Sequence, residues 1–362
     1  MRVLALCTYP VEAASTRYRL EQFVEPLAAH GITLVIRPFL DSRLFKQLYR
    51  REALPRNAVG LIASALLRVG DVIRARHADV LFVQREAMMV GPPIIEWLSM
   101  KMGSSPMVLD LDDSTYVSYL SPTYGRWGSA LKWFSKTNDL ISWSKVVTCG
   151  NRAIADYVTG RGKEAVIIPT VVDTDQFVPR VESKTPEVPV IGWIGTHSTY
   201  QYLASIFPAL ERLARTHRFR LKVIGAGRDD IRIPGVEVEN LEWNLEREVA
   251  DFQSFDIGIY PIVKDEWSEG KSGFKAIQYM AVGIPFVTTP VGACAEIGQP
   301  NLTHYLAETE DEWVASLSKL ISDPESAKRM GAAGRRYSVE HYTVAAHAEK
   351  LAQVFHSTAA RE

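Results

Sequence analysis

Short apolar runs alternate with amphipathic stretches along almost the whole chain, and they do so twice, on either side of a proline-rich segment. This alternation argues for βαβ units and parallel sheets, because a parallel strand pair needs a long crossover and a helix is the usual one. In the first half the runs predict strands at 2–7, 32–37, 79–83, 107–111, 145–148 and 165–168. Helices are expected around 17–30, 43–50, 57–75, 92–101, 127–141 and 151–159. Residues 169–189 carry prolines at 169, 179, 186 and 189 among mixed charges, which reads as a linker. The second alternation predicts strands near 190–195, 219–224, 236–239, 256–260 and 285–288, then helices at 311–322, 324–337 and 342–357. The expected fold class is therefore α/β, with two Rossmann-like, doubly wound domains at 1–172 and 185–338 facing a cleft. Ligands of open α/β sheets bind outside the carboxyl ends of strands, so the strand-end loops and the cleft are where a site is sought.

The chain has 362 residues, enough for two domains with their own cores, and its 47 % hydrophobic and 23 % charged residues are typical of a globular protein. Cys7, Cys149 and Cys294 lie far apart, which argues against a disulfide framework or a zinc site and fits a reducing, cytoplasmic compartment. The start runs directly into a strand-like segment without the features of a signal peptide. No apolar run reaches the roughly 18–20 residues that a spanning helix needs. Secretion and integral membrane insertion are not expected, and neither is a nucleic-acid partner.

The net charge of −1 conceals an asymmetry, with residues 1–170 at +6 and the remainder at −7. Residues 43–76 hold eight basic residues, Arg43, Lys46, Arg50, Arg51, Arg56, Arg68, Arg74 and Arg76, against Glu52 and Asp71. They form either a solvated helical face or a surface for anionic lipid or a phosphorylated acceptor. Interleaved Leu44, Phe45, Leu48, Tyr49, Leu61, Ile62, Leu66 and Leu67 favour a peripheral position on a membrane.

The strongest local signal runs from Trp267 to Pro285. A glycine-containing loop follows the strand at 256–260 and opens into a short helix that Gly283 and Pro285 stop. Lys271, Lys275 and Gln278 follow i, i+4, i+7 spacing and so share a helix face, while Phe274, Ile277 and Ala281 form an apolar stripe. Two lysines beside Ser272 and Gly273 at a helix start make an anion site. After the strand at 190–195, Gly195 permits close backbone approach, and Thr196, His197 and Ser198 offer polar groups for phosphates. Ser198 is equally suited to capping the next helix, and His197 to an ordinary loop position. Gly225-Ala226-Gly227 starts like a dinucleotide fingerprint, but Asp230 replaces its third glycine.

In the first half, Asp112 and Asp113 follow the strand at 107–111 and either orient a ligand or accept a proton, or merely cap a helix. Ser15, Thr16, Arg17 and Arg19 follow the first strand, and their arginines suit phosphate or carboxylate unless they simply begin a solvated helix. The aromatic residues between Tyr124 and Trp143, with Trp127, Trp133 and Phe134, are either lipid-facing or core. The carboxylates show no metal-ligand set.

Taken together these segments resemble family 4 of the glycosyltransferases. The carriers are I-G-W-I-G-T at 191–196, K-V-I-G-A-G at 222–227, D-I-G-I-Y-P at 256–261, Y-M-A-V-G-I-P-F-V at 279–287 and P-V-G at 290–292. The first half adds A-S-T-R-Y-R at 14–19, D-L-D-D at 110–113, C-G-N at 149–151 and I-P-T-V-V-D at 168–173. The resemblance implies the GT-B fold, a terminal helix at about 342–362 crossing back to the first domain, and a mostly retaining sugar transfer. It further implies a nucleotide-sugar co-substrate with no separate cofactor, and a saccharide or lipid-diphosphate-linked acceptor, as in cell-surface polysaccharide synthesis.

The family's paired glutamates, eight positions apart, fall at Gly270 and Gln278, with Glu269 beside the first. Its arginine after the first C-domain strand falls at Thr196, and its histidine-aspartate pair at Asp112-Asp113. Charge neutralisation of the diphosphate then passes to Lys271 and Lys275, with donor contacts from Gly195–Thr199, Glu269, Ser272, Gly273 and Gln278. The competing readings are a nucleotide-sugar epimerase, which needs no acceptor, and a non-catalytic nucleotide-sugar-binding subunit.

Overall fold

The computed structural model describes residues 1–48, 51–103, 105–120, 125–181 and 187–360. Tyr49, Arg50, the Arg51 side chain, Tyr124, Pro186 and the last two residues, all drawn on above, lie outside the described residues. The chain packs as two units, Met1–Thr170 with Val344–Glu362, and Val171–Thr343.

Among the described residues the first unit holds a six-stranded parallel sheet in the order β2-β1-β3-β4-β5-β6. Its strands are β1 (Arg2–Cys7), β2 (Thr33–Pro38), β3 (Val80–Gln84), β4 (Met107–Leu111), β5 (Val146–Cys149) and β6 (Glu164–Ile167). Its helices are α1 (Ala14–Arg19), α2 (Val24–Ala29), α3 (Ser42–Gln47), α4 (Leu54–Ala75), α5 (Ile94–Met102), α6 (Gly125–Lys132), α7 (Lys136–Trp143) and α8 (Arg152–Thr159). The central strands are apolar at nearly every position because helices cover both faces of the sheet. Val72, Ala75, Ile95, Leu140 and Ile141 bring α4, α5 and α7 onto Leu4, Leu81 and Leu109. The C-terminal helix, Val344–Ala359, belongs to this unit and sets the Phe355 ring edge-on to Phe82 at 5.0 Å.

Two expected helices are broken. Residues 17–30 divide between α1 and α2, and Pro26 lacks the N–H that a continuous helix would direct to the Gln22 carbonyl. Residues 127–141 divide at Trp133, whose φ of 56° no α-helix accommodates.

The basic segment 43–76 is also built differently from a charged face. Arg68 is buried and donates to the carbonyls of Cys7, Arg37 and Ala87 and to Asp71. Arg74 pairs with the same Asp71, while Leu44 and Leu48 are core residues beside Phe39. Arg68, Leu44 and Leu48 are therefore structural and do not belong to a membrane-facing set.

The second unit repeats the architecture with strand order β12-β11-β10-β7-β8-β9, all parallel. The strands are β7 (Val190–Ile194), β8 (Arg220–Ile224), β9 (Glu237–Leu241), β10 (Ile257–Tyr260), β11 (Phe286–Thr288) and β12 (Tyr305–Leu306). The helices are α9 (Tyr200–Ala204), α10 (Phe207–Ala214), α11 (Glu248–Gln253), α12 (Glu266–Glu269), α13 (Phe274–Ala281), α14 (Glu310–Ser322) and α15 (Pro324–His341). β12 has only two residues, too few to stand out as an apolar run. The first part of the segment expected as a linker is packed instead: Thr170, Val171, Val172, Thr174 and Phe177 are buried. Arg335 of α15 fastens it by donating to the carbonyls of Thr174, Phe177 and Ala281 at 2.7–2.8 Å.

Glycines in neighbouring β7 and β10 make room for aromatic rings beneath the strand ends. A Cβ on Gly192 would lie 2.0 Å from the Phe255 ring, and one on Gly258 would lie 2.6 Å from the ring of Tyr279. The Tyr279 hydroxyl donates to the carbonyls of Gly192 and Ile259, each at 3.1 Å, and so ties α13 to both strands. Gly192→Ala is expected to cost about 2–3 kcal/mol through overpacking, read from denaturant unfolding of the full chain. A loss below about 0.5 kcal/mol would show that the ring can move aside.

Candidate functional site

The loops at the carboxyl ends of β7, β8, β10 and β11 gather the donor candidates of the second unit. After β7, Gly195 opens the loop, where a Cβ would meet the Trp193 ring at 2.3 Å. Thr196, His197 and Ser198 are exposed. Thr199 organises the turn, its hydroxyl oxygen accepting from the Thr196 N–H at 2.9 Å. Ser198 does not cap the following helix, contrary to one expectation. Thr199 occupies the N-cap of α9, and the Ser198 hydroxyl lies 2.8 Å from that of Thr196. The Gly225–Gly227 turn packs beside this loop, since a Cβ on Gly227 would stand 3.0 Å from the Cβ of His197.

The loop after β10 reaches the same end of the sheet. Tyr202 of α9 and Ser268 of α12 are both buried, and their hydroxyls lie 3.3 Å apart, joining the 195–199 loop to the lysine-bearing segment. Asp265 caps α12 by accepting from the Ser268 N–H at 2.6 Å. The Glu269 carboxylate accepts the Gly292 N–H at 3.1 Å and holds the loop after β11 across this segment. Glu269 thereby acts on protein backbone.

Gly273 sets the start of α13. Its φ of 64° is left-handed, and a Cβ there would lie 2.2 Å from Ile297. The helix therefore begins at Phe274, and Lys271 precedes it instead of sharing a helical face with Lys275 and Gln278. Lys271 holds its ammonium 5.6 Å from the centre of the Trp267 ring system. The Lys275 ammonium donates to Gln278 Oε1 at 3.0 Å and lies 5.4 Å from the Phe252 ring centroid and 5.7 Å from that of Phe274. Gln278 is fully buried, with Nε2 donating to Glu248 Oε1 at 3.4 Å. The amide expected to contact the donor serves here as an internal link that fixes Lys275. Glu248 and Tyr202 escaped the sequence reading, since no local pattern marks either one. A separate cavity of about 340 Å³, bordered by Ile206, Ile262, Thr289, Val291 and Trp313, holds none of these donor candidates.

In the first unit the strand register brings Gln84, Asp110 and Thr148 abreast, and charged groups cluster at the ends of β3 and β4. Arg19 is buried at 3 % exposure, grips Asp110 through Nε at 3.0 Å and through Nη2, and donates Nη1 to the Ile168 carbonyl at 2.6 Å. This is a correction to the expected acceptor contact, because a guanidinium engaged on all sides is a structural one. Thr16 is likewise buried and donates to the Tyr9 carbonyl. Arg17 donates to the Glu12 carbonyl at 2.8 Å, and Ser15 is half-buried beside it on α1.

Arg85 takes the left-handed region at φ 63°, an uncommon position for a non-glycine residue and a mark of functional sites. Its guanidinium donates to both oxygens of Asp112, at 2.5 and 2.7 Å, and to Asp113 at 3.1 Å. Burial opposes the negative charge on Asp112, but the Arg85 guanidinium overcomes it and holds the carboxyl below its ordinary value. Burial also opposes the charge on Arg85, which the two aspartates more than offset. Among the described residues neither aspartate stands at the N-cap of a helix. Among the described residues, no group of three His, Cys, Asp or Glu side chains is placed to hold a metal ion.

Residues 188–323 match the family described as glycosyl transferases group 1, and that stretch contains every donor candidate from Gly195 to Gln278. No curated protein sequence matches the chain. Among solved structures, the chain resembles a glycosyltransferase from Rickettsia africae at 13 % identity and a TM-score of 0.71, covering 100 % of this chain and 99 % of that one. It resembles HepE of Anabaena in complex with UDP-glucose at 12 % identity and a TM-score of 0.70, covering 99 % and 100 %. Sucrose-phosphate synthase from Thermosynechococcus elongatus follows at 14 % identity and 0.68, covering 99 % of each chain. At these identities the likeness is one of fold, and the fold is GT-B. The group 1 match lies within the second unit, in a chain whose fold is GT-B.

Proposed function

We propose that the chain moves a sugar from a nucleoside-diphosphate sugar to a saccharide or lipid-diphosphate-linked acceptor, with retention at the anomeric carbon, in polysaccharide or glycoconjugate synthesis. The observation that carries this reading is Lys275, clamped by the buried Gln278 amide and two aromatic rings at the start of α13, inside the family-matched stretch. A preorganised cation at a helix start suits the charge that develops on a departing diphosphate. Lys271 and Ser272 lie on the same approach to the helix, and Gly195–Ser198 form the neighbouring phosphate-facing loop. The nucleotide sugar is the only co-substrate in this scheme.

The departing phosphate itself takes the acceptor proton, which leaves the first-unit carboxylates to orient sugar. Asp112 and Asp113, both oriented by Arg85, are the candidates for a sugar hydroxyl. HepE in complex with UDP-glucose supports a uridine nucleotide as the first donor to try. The test is thermal stabilisation of the full chain by UDP-, GDP-, ADP- and dTDP-sugars, with Lys275→Ala alongside. Selective stabilisation by one nucleotide sugar that is lost in the variant is expected. Equal stabilisation of wild type and variant would remove Lys275 from the donor site.

A further inference from the structure

The outer face of α4 carries an apolar stripe that no described residue covers. Val59, Ile62, Leu66, Leu67, Val69 and Ile73 recur at helical spacing, and Leu66 is 69 % exposed. The opposite side of the same helix does the packing, with Val72 and Ala75 in the core and Arg68 buried. Next to it, α5 packs against α4 and exposes Ile94 and Trp97. On α6, Trp127 is 84 % exposed and Leu131 lies one turn further on. The Leu131 carbonyl accepts the Gly91 N–H at 2.8 Å, which ties α6 to the chain entering α5. Scattered exposed apolar residues are ordinary, but several large ones on adjoining helices mark an interaction surface.

Charge identifies the occupant. In α4, α5 and α6 the acidic side chains are Asp71 and Glu96, and both are buried. The exposed charges on these helices are Arg56, Arg74, Lys101 and Arg126, all positive. A second copy of this chain would set like charges against one another, whereas an anionic lipid surface complements them. Among the described residues no helix is long and apolar enough to cross a membrane. A one-sided apolar helix of 22 residues, about 33 Å long, suits a position in the plane of the interface.

We propose that this face docks the chain on an anionic lipid bilayer, with α4 lying along the headgroup boundary and the α5 and α6 tryptophans beside it. The proposal does not depend on the donor site. It is tested by sedimenting the full chain with phosphatidylcholine vesicles, with and without phosphatidylglycerol. The wild type is expected to partition at least tenfold better onto the anionic vesicles. Combined Ile62→Glu, Leu66→Glu and Ile73→Glu is expected to lower that partitioning at least tenfold with an unchanged thermal midpoint. Should that variant fold poorly, Trp127→Ser with Leu131→Ser on α6 is expected to weaken binding severalfold. Failure of the wild type to bind anionic vesicles overturns the proposal, and so does undiminished binding by folded variants. A dimer that dissociates in the triple variant, without vesicle binding, assigns the face to a second copy and overturns it equally.

Discussion

Lys275→Ala lowers turnover by about a hundredfold to a thousandfold, the usual effect of deleting one preorganised charge-stabilising donor. A lysine about 4 Å from a phosphate charge gains roughly 4 kcal/mol at an effective dielectric near 20, while a helix terminus adds only about 0.3–1 kcal/mol. The side chain, more than the helix dipole, therefore decides the outcome. The clamp matters as well, because the Gln278 carbonyl and the rings of Phe252 and Phe274 hold the ammonium in place before the donor arrives. The substitution also leaves Gln278 Oε1 without its lysine, at a cost of about 1–3 kcal/mol, so turnover at saturating donor is read alongside the unfolding midpoint. Turnover within twofold of wild type would place the leaving-group charge elsewhere.

Arg19→Met is the second large effect, and it falls on stability. The substitution strands Asp110, which is 1 % exposed and, among the described residues, keeps only the Thr148 hydroxyl as a side-chain donor, and it frees the Ile168 carbonyl. Breaking a buried pair from one side costs about 3–5 kcal/mol, because an uncompensated charge remains inside. Removing both charges is far milder, so Arg19→Met with Asp110→Asn is expected to recover most of the loss. Denaturant titration of both variants is the measurement. A single variant that loses less than about 1 kcal/mol would mean that water reaches the carboxylate.

How much of this was legible in the sequence depended on the range of the forces involved. Strands such as Val80–Gln84 and Val190–Ile194 are short apolar runs that declare themselves, and their alternation with helices specifies parallel sheets. Periodicity misled where one backbone angle intervened. Gly273 turns the chain so that Lys271 leaves the helical frame, and Trp133 does the same within a stretch expected to be continuous. The ion pairs were out of reach, since Arg19 meets Asp110 from 91 residues away and Arg85 meets Asp112 from 27. Their proximity comes from strand order and register, which local pattern does not encode. Gln278 was legible as a polar residue near the lysines, but its role as an internal brace required Glu248, 30 residues distant, to be seen beneath it.

The first unit takes its last helix from the far end of the chain. During synthesis its sheet emerges early, yet Phe82 has no Phe355 ring to pack against until all of Val171–Thr343 has been made. At about 5–20 residues per second the ribosome leaves that apolar surface uncovered for on the order of ten seconds or more. During that interval the nascent sheet offers a hydrophobic seat that chaperones can occupy, and the arriving helix must displace them.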